Sequence, residues 1–369
     1  MSDVSCANGS ATDDARHEVG TAPGFSVIDE IAVQHGAIGG IAVSADGGRL
    51  LVTHYGDDTV SLIDTGDRPV ARTVVDTGEP FAVALAGSPA GRAYVSTVST
   101  AYDTILAVDM DTDRVAAYPV AHSVTDLAVS ADGKHVYACR NAVNGADVAV
   151  LDTKTGREDA IGIAATPGTT TECVRVSPDG QRLYVATNGP SGGELVVIDA
   201  QQKRVVNTVE IGSPIRDVAI SPDGATAYVA SCDPDFGAVL DVVDTHTDMV
   251  AGTHKVREVA GHLTQLTLSR DGERAYLVGD ESVAVLGIRT CDVIGTIVVG
   301  AQPSCVIESP DGNRLYIADY AGTVTVLTIA LTAASALAPR ADEPTADDEP
   351  TAPHQRAMPE LRQLEPALA

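Results

Sequence analysis

Ser177-Pro178-Asp179-Gly180, followed after Gln181 by Arg182-Leu183-Tyr184-Val185-Ala186-Thr187-Asn188 and then by Val196-Val197-Ile198-Asp199, is the stretch from which the fold is read. Pro at the second place presets φ, Asp accepts a local backbone hydrogen bond, and Gly takes the positive φ that closes a tight hairpin. The two runs that follow are rich in β-branched and aromatic residues, which favour strands. A strand, a turn and two further strands are therefore expected here. The same turn stands at Ser44-Ala45-Asp46-Gly47, Ser88-Pro89-Ala90-Gly91, Ser130-Ala131-Asp132-Gly133, Ser221-Pro222-Asp223-Gly224, Ser269-Arg270-Asp271-Gly272 and Ser309-Pro310-Asp311-Gly312, seven copies in all. Successive turn glycines are 40 to 48 residues apart.

A repeat of that length, carrying four strand-like segments per copy, predicts an all-β chain: a seven-bladed β-propeller of four-stranded antiparallel blades. The fifth copy shows the set most cleanly, with strands expected over 216–220, 226–231, 239–244 and 249–256. The second strand carries an aromatic at one fixed place (Tyr94, Tyr137, Tyr184, Tyr228, Tyr276, Tyr316), with Leu51 in the first copy, and packing is its expected role. The third strand ends in apolar-Asp-Thr at Ile63-Asp64-Thr65, Leu151-Asp152-Thr153 and Val243-Asp244-Thr245, again a turn signature. Only two strands follow the last turn, and residues 25–33 have no other partner. The amino-terminal strand is thus expected to pair with residues 323–329 and close the last blade, removing an open edge.

The propeller is expected over 25–330. Residues 1–24 and the Ala/Pro/Glu-rich tail 331–369 are expected to be disordered, because neither can bury enough apolar surface to offset ordering entropy. The chain has 51 acidic and 24 basic residues, a formal net charge of −27, and no run of basic residues. Such a field repels phosphate backbones and anionic lipid, so neither nucleic acid nor membrane is an expected partner. No run approaches the roughly 18–20 apolar residues a membrane helix needs, and no secretory signal is visible. A cytoplasmic monomer is expected, or a secreted protein if translation starts further upstream. The six cysteines, Cys6, Cys139, Cys173, Cys232, Cys291 and Cys305, form no C-x-x-C and read as free, inert thiols.

The quoted turn, the Arg182–Asn188 run and the Val196–Asp199 run resemble the YVTN-repeat (YncE-like) propellers over about residues 25 to 329. The resemblance implies fold more than activity, since the shared motif residues belong to turns and core. Propellers of related kinds include lactone hydrolases, haem-containing reductases, streptogramin lyases and a single-strand DNA binder. The DNA-binding reading is weakened here by charge and by the absence of Trp for base stacking.

The first-to-second and third-to-fourth turns share one face. The other face carries the second-to-third loops (55–58, 97–103, 140–146, 188–193, 232–237, 279–281, 319–322) and is the candidate binding face. Inner strands begin there and are expected to line the central channel with Gly39 and Gly40, Phe81 and Ala82, Thr125 and Asp126, Glu172 and Cys173, Arg216 and Asp217, Thr264 and Gln265, and Ser304 and Cys305. Glu172 and Arg216, on adjacent blades, either neutralise each other or serve a ligand. His54, His122 and His262 should fall near the loop face. With Asp126, Glu172 or Asp319 they would supply donors for a divalent metal or an acid–base pair, although no local ligand spacing such as H-x-x-x-H occurs. No cofactor is expected, a divalent metal being the alternative. No C-x-x-C-H, phosphate-binding Gly-rich loop or G-x-S-x-G is present. The expected function is therefore a binding or scaffold propeller taking a small polar molecule, peptide or protein partner. The competing expectation is a hydrolase or lyase of the lactonase or streptogramin-lyase type. The candidate ligand-binding set is His54, His122, Asp126, Glu172, Arg216, Asp217, His262, Gln265 and Asp319.

Overall fold

The computed structural model of the chain describes residues 22–33, 35–66, 70–76, 79–85, 91–98, 102–120, 123–142, 145–164, 166–233, 237–259 and 261–330. The terminal segments expected to be disordered, the second turn (86–90) and His122 lie wholly or largely outside the described residues. The strands form seven four-stranded antiparallel sheets, each a blade of a closed ring. Their inner strands, in blade order, are Ile38–Val43, Glu79–Leu85, Val124–Val129, Thr170–Val176, Ile215–Ile220, Gln265–Leu268 and Pro303–Glu308. Among the described residues no helix is long and apolar enough to cross a membrane.

The turn chemistry expected from sequence is present in every fully described copy. In blade 4 the Ser177 hydroxyl donates to Asp179 Oδ1 (2.5 Å) and accepts from the Arg182 amide (2.9 Å), while Asp179 Oδ1 also accepts from Gln181 N (3.0 Å). The Ser177 hydroxyl, then the Gln181 amide, hold the Asp179 carboxyl below the usual carboxylate range. The turn glycines have φ between +67° (Gly133) and +85° (Gly91), a region costly for any residue with a Cβ. The Asp-Thr pairs do more than turn the chain. Asp152 accepts from the Thr155 amide (2.7 Å), but Thr153 Oγ1 reaches back to the Gly133 carbonyl (2.9 Å), so the two turns of one blade are tied together.

Among the described residues seven apolar clusters fill the ring, most of them wedged between adjacent blades. Cys173, Tyr184, Ala186 and Leu195 of blade 4 meet Ile215, Val218, Ala227 and Val229 of blade 5. The fixed aromatic of the second strand sits in these wedges, with Tyr94, Tyr137, Tyr184, Tyr228, Tyr276 and Tyr316 all buried, and Leu51 buried in blade 1. Closure is as the strand count requires. Phe25–Ala32 pairs antiparallel with Thr323–Ile329, from Phe25 opposite Ile329 to Ala32 opposite Thr323. Phe25 packs edge-on against Tyr276 of blade 6, centroids 6.3 Å apart, so the closing strand is locked by core as well as by its ladder.

One expectation about the loop face needs correction. The segments 140–146 and 188–193 are not open loops, because the strands continue to Ala142 and Gly189 and resume at Gly145 and Gly192. Together with Thr226–Asp233 and Gly237–Asp244, these eight-residue strands extend blades 3, 4 and 5 beyond the five- to seven-residue strands at the equivalent places in blades 1, 6 and 7. Blade 4 makes its hairpin with only Pro190 and Ser191, and Gly192 at φ +122° allows the return. A Cβ there would collide with the Gly212 carbonyl oxygen.

Candidate functional site

The channel mouth is built by a repeated irregularity. In six blades the inner strand slips register against its neighbour, between Ile38 and Gly40, Pro80 and Val83, Val124 and Asp126, Thr171 and Val174, Ile215 and Asp217, and Pro303 and Cys305. In blade 6 the Thr264 amide bonds the carbonyl of Val278, the ladder partner of Gln265. A bulge re-aims one side chain out of the pleat. The residues at these bulges, among them Gly39, Thr125, Glu172, Arg216, Thr264 and Ser304, line a cavity of about 460 Å³ to which all seven blades contribute.

The residue after the bulge has a different task. Asp126 Oδ2 accepts the Val174 amide of blade 4 (2.9 Å), Asp217 Oδ2 accepts the Leu266 amide of blade 6 (2.8 Å), and Gln265 Oε1 accepts the Val306 amide of blade 7 (2.7 Å). Three of the nine candidate residues thus join one blade to the next. Asn141 and Asn188, which end their repeat motifs, act alike. Asn188 takes the Ile215 amide at Oδ1 (2.8 Å) and gives Nδ2 to the Ile215 carbonyl (2.9 Å), imitating a neighbouring strand.

Arg175 was not singled out from the sequence, yet it organises the channel floor. Its Nη1 donates to Asp126 Oδ2 (2.6 Å) and the Val174 carbonyl (2.7 Å), Nε donates to the Val218 carbonyl (2.8 Å), and Nη2 to Asp217 Oδ1. One guanidinium thereby spans blades 3, 4 and 5. It lines both the mouth cavity and a second one of about 530 Å³ bounded by Val218, Ile220, Pro222 and Arg270, so it stands where the two meet. Burial pushes the Asp217 carboxyl up, and Arg175 opposes that shift. A signal was available: the same repeat position holds Ala42, Ala84, Ala128, Ala219, Thr267 and Ile307, so one long cation interrupts a column of smaller uncharged side chains.

Glu172 and Arg216 both line the mouth, and no direct ion pair within 4.0 Å joins them. Glu172 Oε1 accepts from Thr170 Oγ1 (3.2 Å). Among the described residues Arg216 Nε is buried without a hydrogen-bond partner. The neighbouring hydroxyls are engaged within the ring: Thr125 Oγ1 with Thr171 Oγ1 (3.1 Å), and Thr264 Oγ1 with the Ser304 carbonyl (3.2 Å).

Of the described candidate histidines, neither His54 nor His262 lines this mouth. His54 is fully buried, with Nε2 at 2.9 Å from Ser61 Oγ and Nδ1 at 3.4 Å from the Gly36 carbonyl. Burial lowers its pKa, so it is a neutral core imidazole rather than a loop-face residue. His262 is exposed, and its amide donates to Asp280 Oδ2 (2.8 Å). Asp319 is buried and accepts the amides of Ala321 (2.9 Å) and Thr323 (2.8 Å), which makes it the organiser of a hairpin, not a lining residue. Among the described residues no group of three or more His, Cys, Asp or Glu side chains is placed to hold a metal ion. Cys173 and Cys305 line the mouth cavity, but burial drives both thiols up, Cys305 to about 12, so neither is a thiolate at neutral pH.

Comparison with known proteins agrees with this architecture. The seven-bladed β-propeller protein Rv1057 of Mycobacterium tuberculosis is 50% identical over 382 residues, with 95% of each chain covered. The chain belongs to this seven-bladed β-propeller family. No protein-family model matches it. Hydrazine synthase of Kuenenia stuttgartiensis superposes on the propeller with a TM-score of 0.72 over 82% of this chain and 98% of that one, at 19% identity, a likeness of fold alone. In this propeller the fold positions a polar pocket, and its chemistry is read from the pocket residues themselves.

Proposed function

We propose that the chain is a non-enzymatic binding propeller of the YVTN-repeat kind, whose loop-face pocket takes a small polar molecule. The observation that carries this reading is Arg216. A guanidinium whose Nε is buried and unbonded, beside a carboxylate it does not touch, leaves a charge for an incoming group to satisfy. Most other polar lining groups are consumed: Asp126, Asp217 and Gln265 by the next blade, Thr125 and Thr264 by hydroxyl and carbonyl partners. The hydrolase or lyase alternative gains nothing from the geometry, because the described histidines stand away from the channel carboxylates.

The test is a thermal-shift and calorimetric screen of small polar solutes (carboxylates, sugars, amino acids and polyols) against the wild type and Arg216→Ala. Binding that is lost in the variant supports the pocket. Binding indifferent to Arg216, or turnover of a lactone panel by the wild type, overturns it.

A further inference from the structure

Resting on that pocket, we infer that its ligand is a zwitterion carrying a free carboxylate and a free ammonium close together, as a free amino acid or short peptide does. At the bulge position two adjacent blades present opposite charges, Glu172 from blade 4 and Arg216 from blade 5. Both line one cavity, and no ion pair within 4.0 Å joins their charged groups. The floor offers no competing partner, because Arg175 is already held by Asp126 and Asp217. The mouth therefore carries one unspent positive and one lightly bonded negative group. A carboxylate fits the first through charge-assisted hydrogen bonds, and an ammonium fits the second.

This pairing also excludes. A phosphate or dicarboxylate drawn to Arg216 is repelled by Glu172, and a polycation drawn to Glu172 is repelled by Arg216. Space for the rest of the ligand lies across the ring. Blade 1 puts Gly39 and Gly40 at the mouth, with only Ile41 and Ala42 adding side chains to the lining, and Tyr55, 54% exposed, stands next to Gly39. Blade 1 thus offers volume at its two glycines, while blades 4 and 5 offer the charges. A cavity of about 460 Å³ accommodates a free amino acid or a dipeptide.

The experiment titrates the full-length protein calorimetrically with the free L-amino acids and a set of dipeptides. The best binder is then compared with its N-acetyl and its carboxamide forms. Each cap is expected to weaken binding about tenfold or more, the scale for losing one partner of a partly desolvated charge pair. In Glu172→Gln the N-acetyl form should bind as well as the free ligand, and in Arg216→Met the carboxamide should. Thermal midpoints near the wild-type value show that both variants are folded. If the wild type binds N-acetylated and free ligands equally, a carboxylate alone is recognised and the inference falls while the pocket stands. If no amino acid or dipeptide binds but other polar solutes bind in an Arg216-dependent way, the inference likewise falls alone. If nothing binds through Arg216, both fall together.

Discussion

Replacing Arg175 with methionine isolates the energetic role of the channel floor. Methionine keeps most of the apolar stem, so the loss is mainly electrostatic. Asp217, only 5% exposed at its side chain, is left facing Asp126 with no cation between them. Removing one partner from a buried pair costs about 3–5 kcal/mol. Because the Arg175 side chain is 30% exposed, water screens part of this, and about 3 kcal/mol is the working figure. Unfolding entropy near 60 °C is about 2.1 cal/mol/K per residue, so a propeller of roughly 300 residues should lose about 5 °C in Tm.

The pH dependence gives the decisive sign. Burial already raises the folded-state Asp217 pKa, and Arg175 is the largest opposing influence, so the variant's carboxyl is raised further. An acid with a raised folded pKa destabilises the native state once pH is high enough to ionise it in the unfolded chain. The penalty is absent below the unfolded pKa and grows as pH rises through the folded one. The Arg175→Met deficit should therefore be large at about pH 7.5, shrink at about pH 5, and shrink at both when Asp217→Asn is added. Denaturant melts of the wild type, both single variants and the double variant measure this. An equal loss at both pH values, unrelieved by Asp217→Asn, would show that Arg175 acts by packing alone.

Other outcomes follow from individual contacts. Ser177→Ala removes a donor to Asp179 and an acceptor for the Arg182 amide, and should lower stability by about 1–2 kcal/mol in urea unfolding. Phe25→Ala empties a buried site against Tyr276 on the closing strand, and should cost about 3–4 kcal/mol by the same measurement. Alkylation of the native protein followed by peptide mass analysis should leave the buried thiols Cys139, Cys173 and Cys305 unmodified under conditions that label Cys232 and Cys291. Early labelling of Cys173 or Cys305 would contradict the closed packing around the channel.

What the residues determined unaided is everything that depends on near neighbours in the chain. The Ser-Pro-Asp-Gly turn is closed by bonds between residues two to five apart, so its seven copies could be counted from sequence. The β-branched and aromatic runs around each turn placed the strands, and the fixed tyrosine marked a packing position on the second of them. The unpaired 25–33 segment named its partner because only one sheet lacked a strand. The site followed different rules. Whether Asp126, Asp217 and Gln265 face a ligand or bind the next blade is decided by contacts across 41 to 49 residues. The same holds for Arg175, whose bonds to Asp217 and Asp126 span 42 and 49 residues. His54 was expected near the loop face because it ends a strand, and only the approach of Ser61 and Gly36 makes it core. A polar side chain declares its type in the sequence, but the free energy of leaving it unpaired depends on which neighbours the closed ring brings to it. That is why Arg216 could be named from the sequence as one lining residue among nine candidates, while its unmet hydrogen-bonding capacity emerges only once all seven blades are in place.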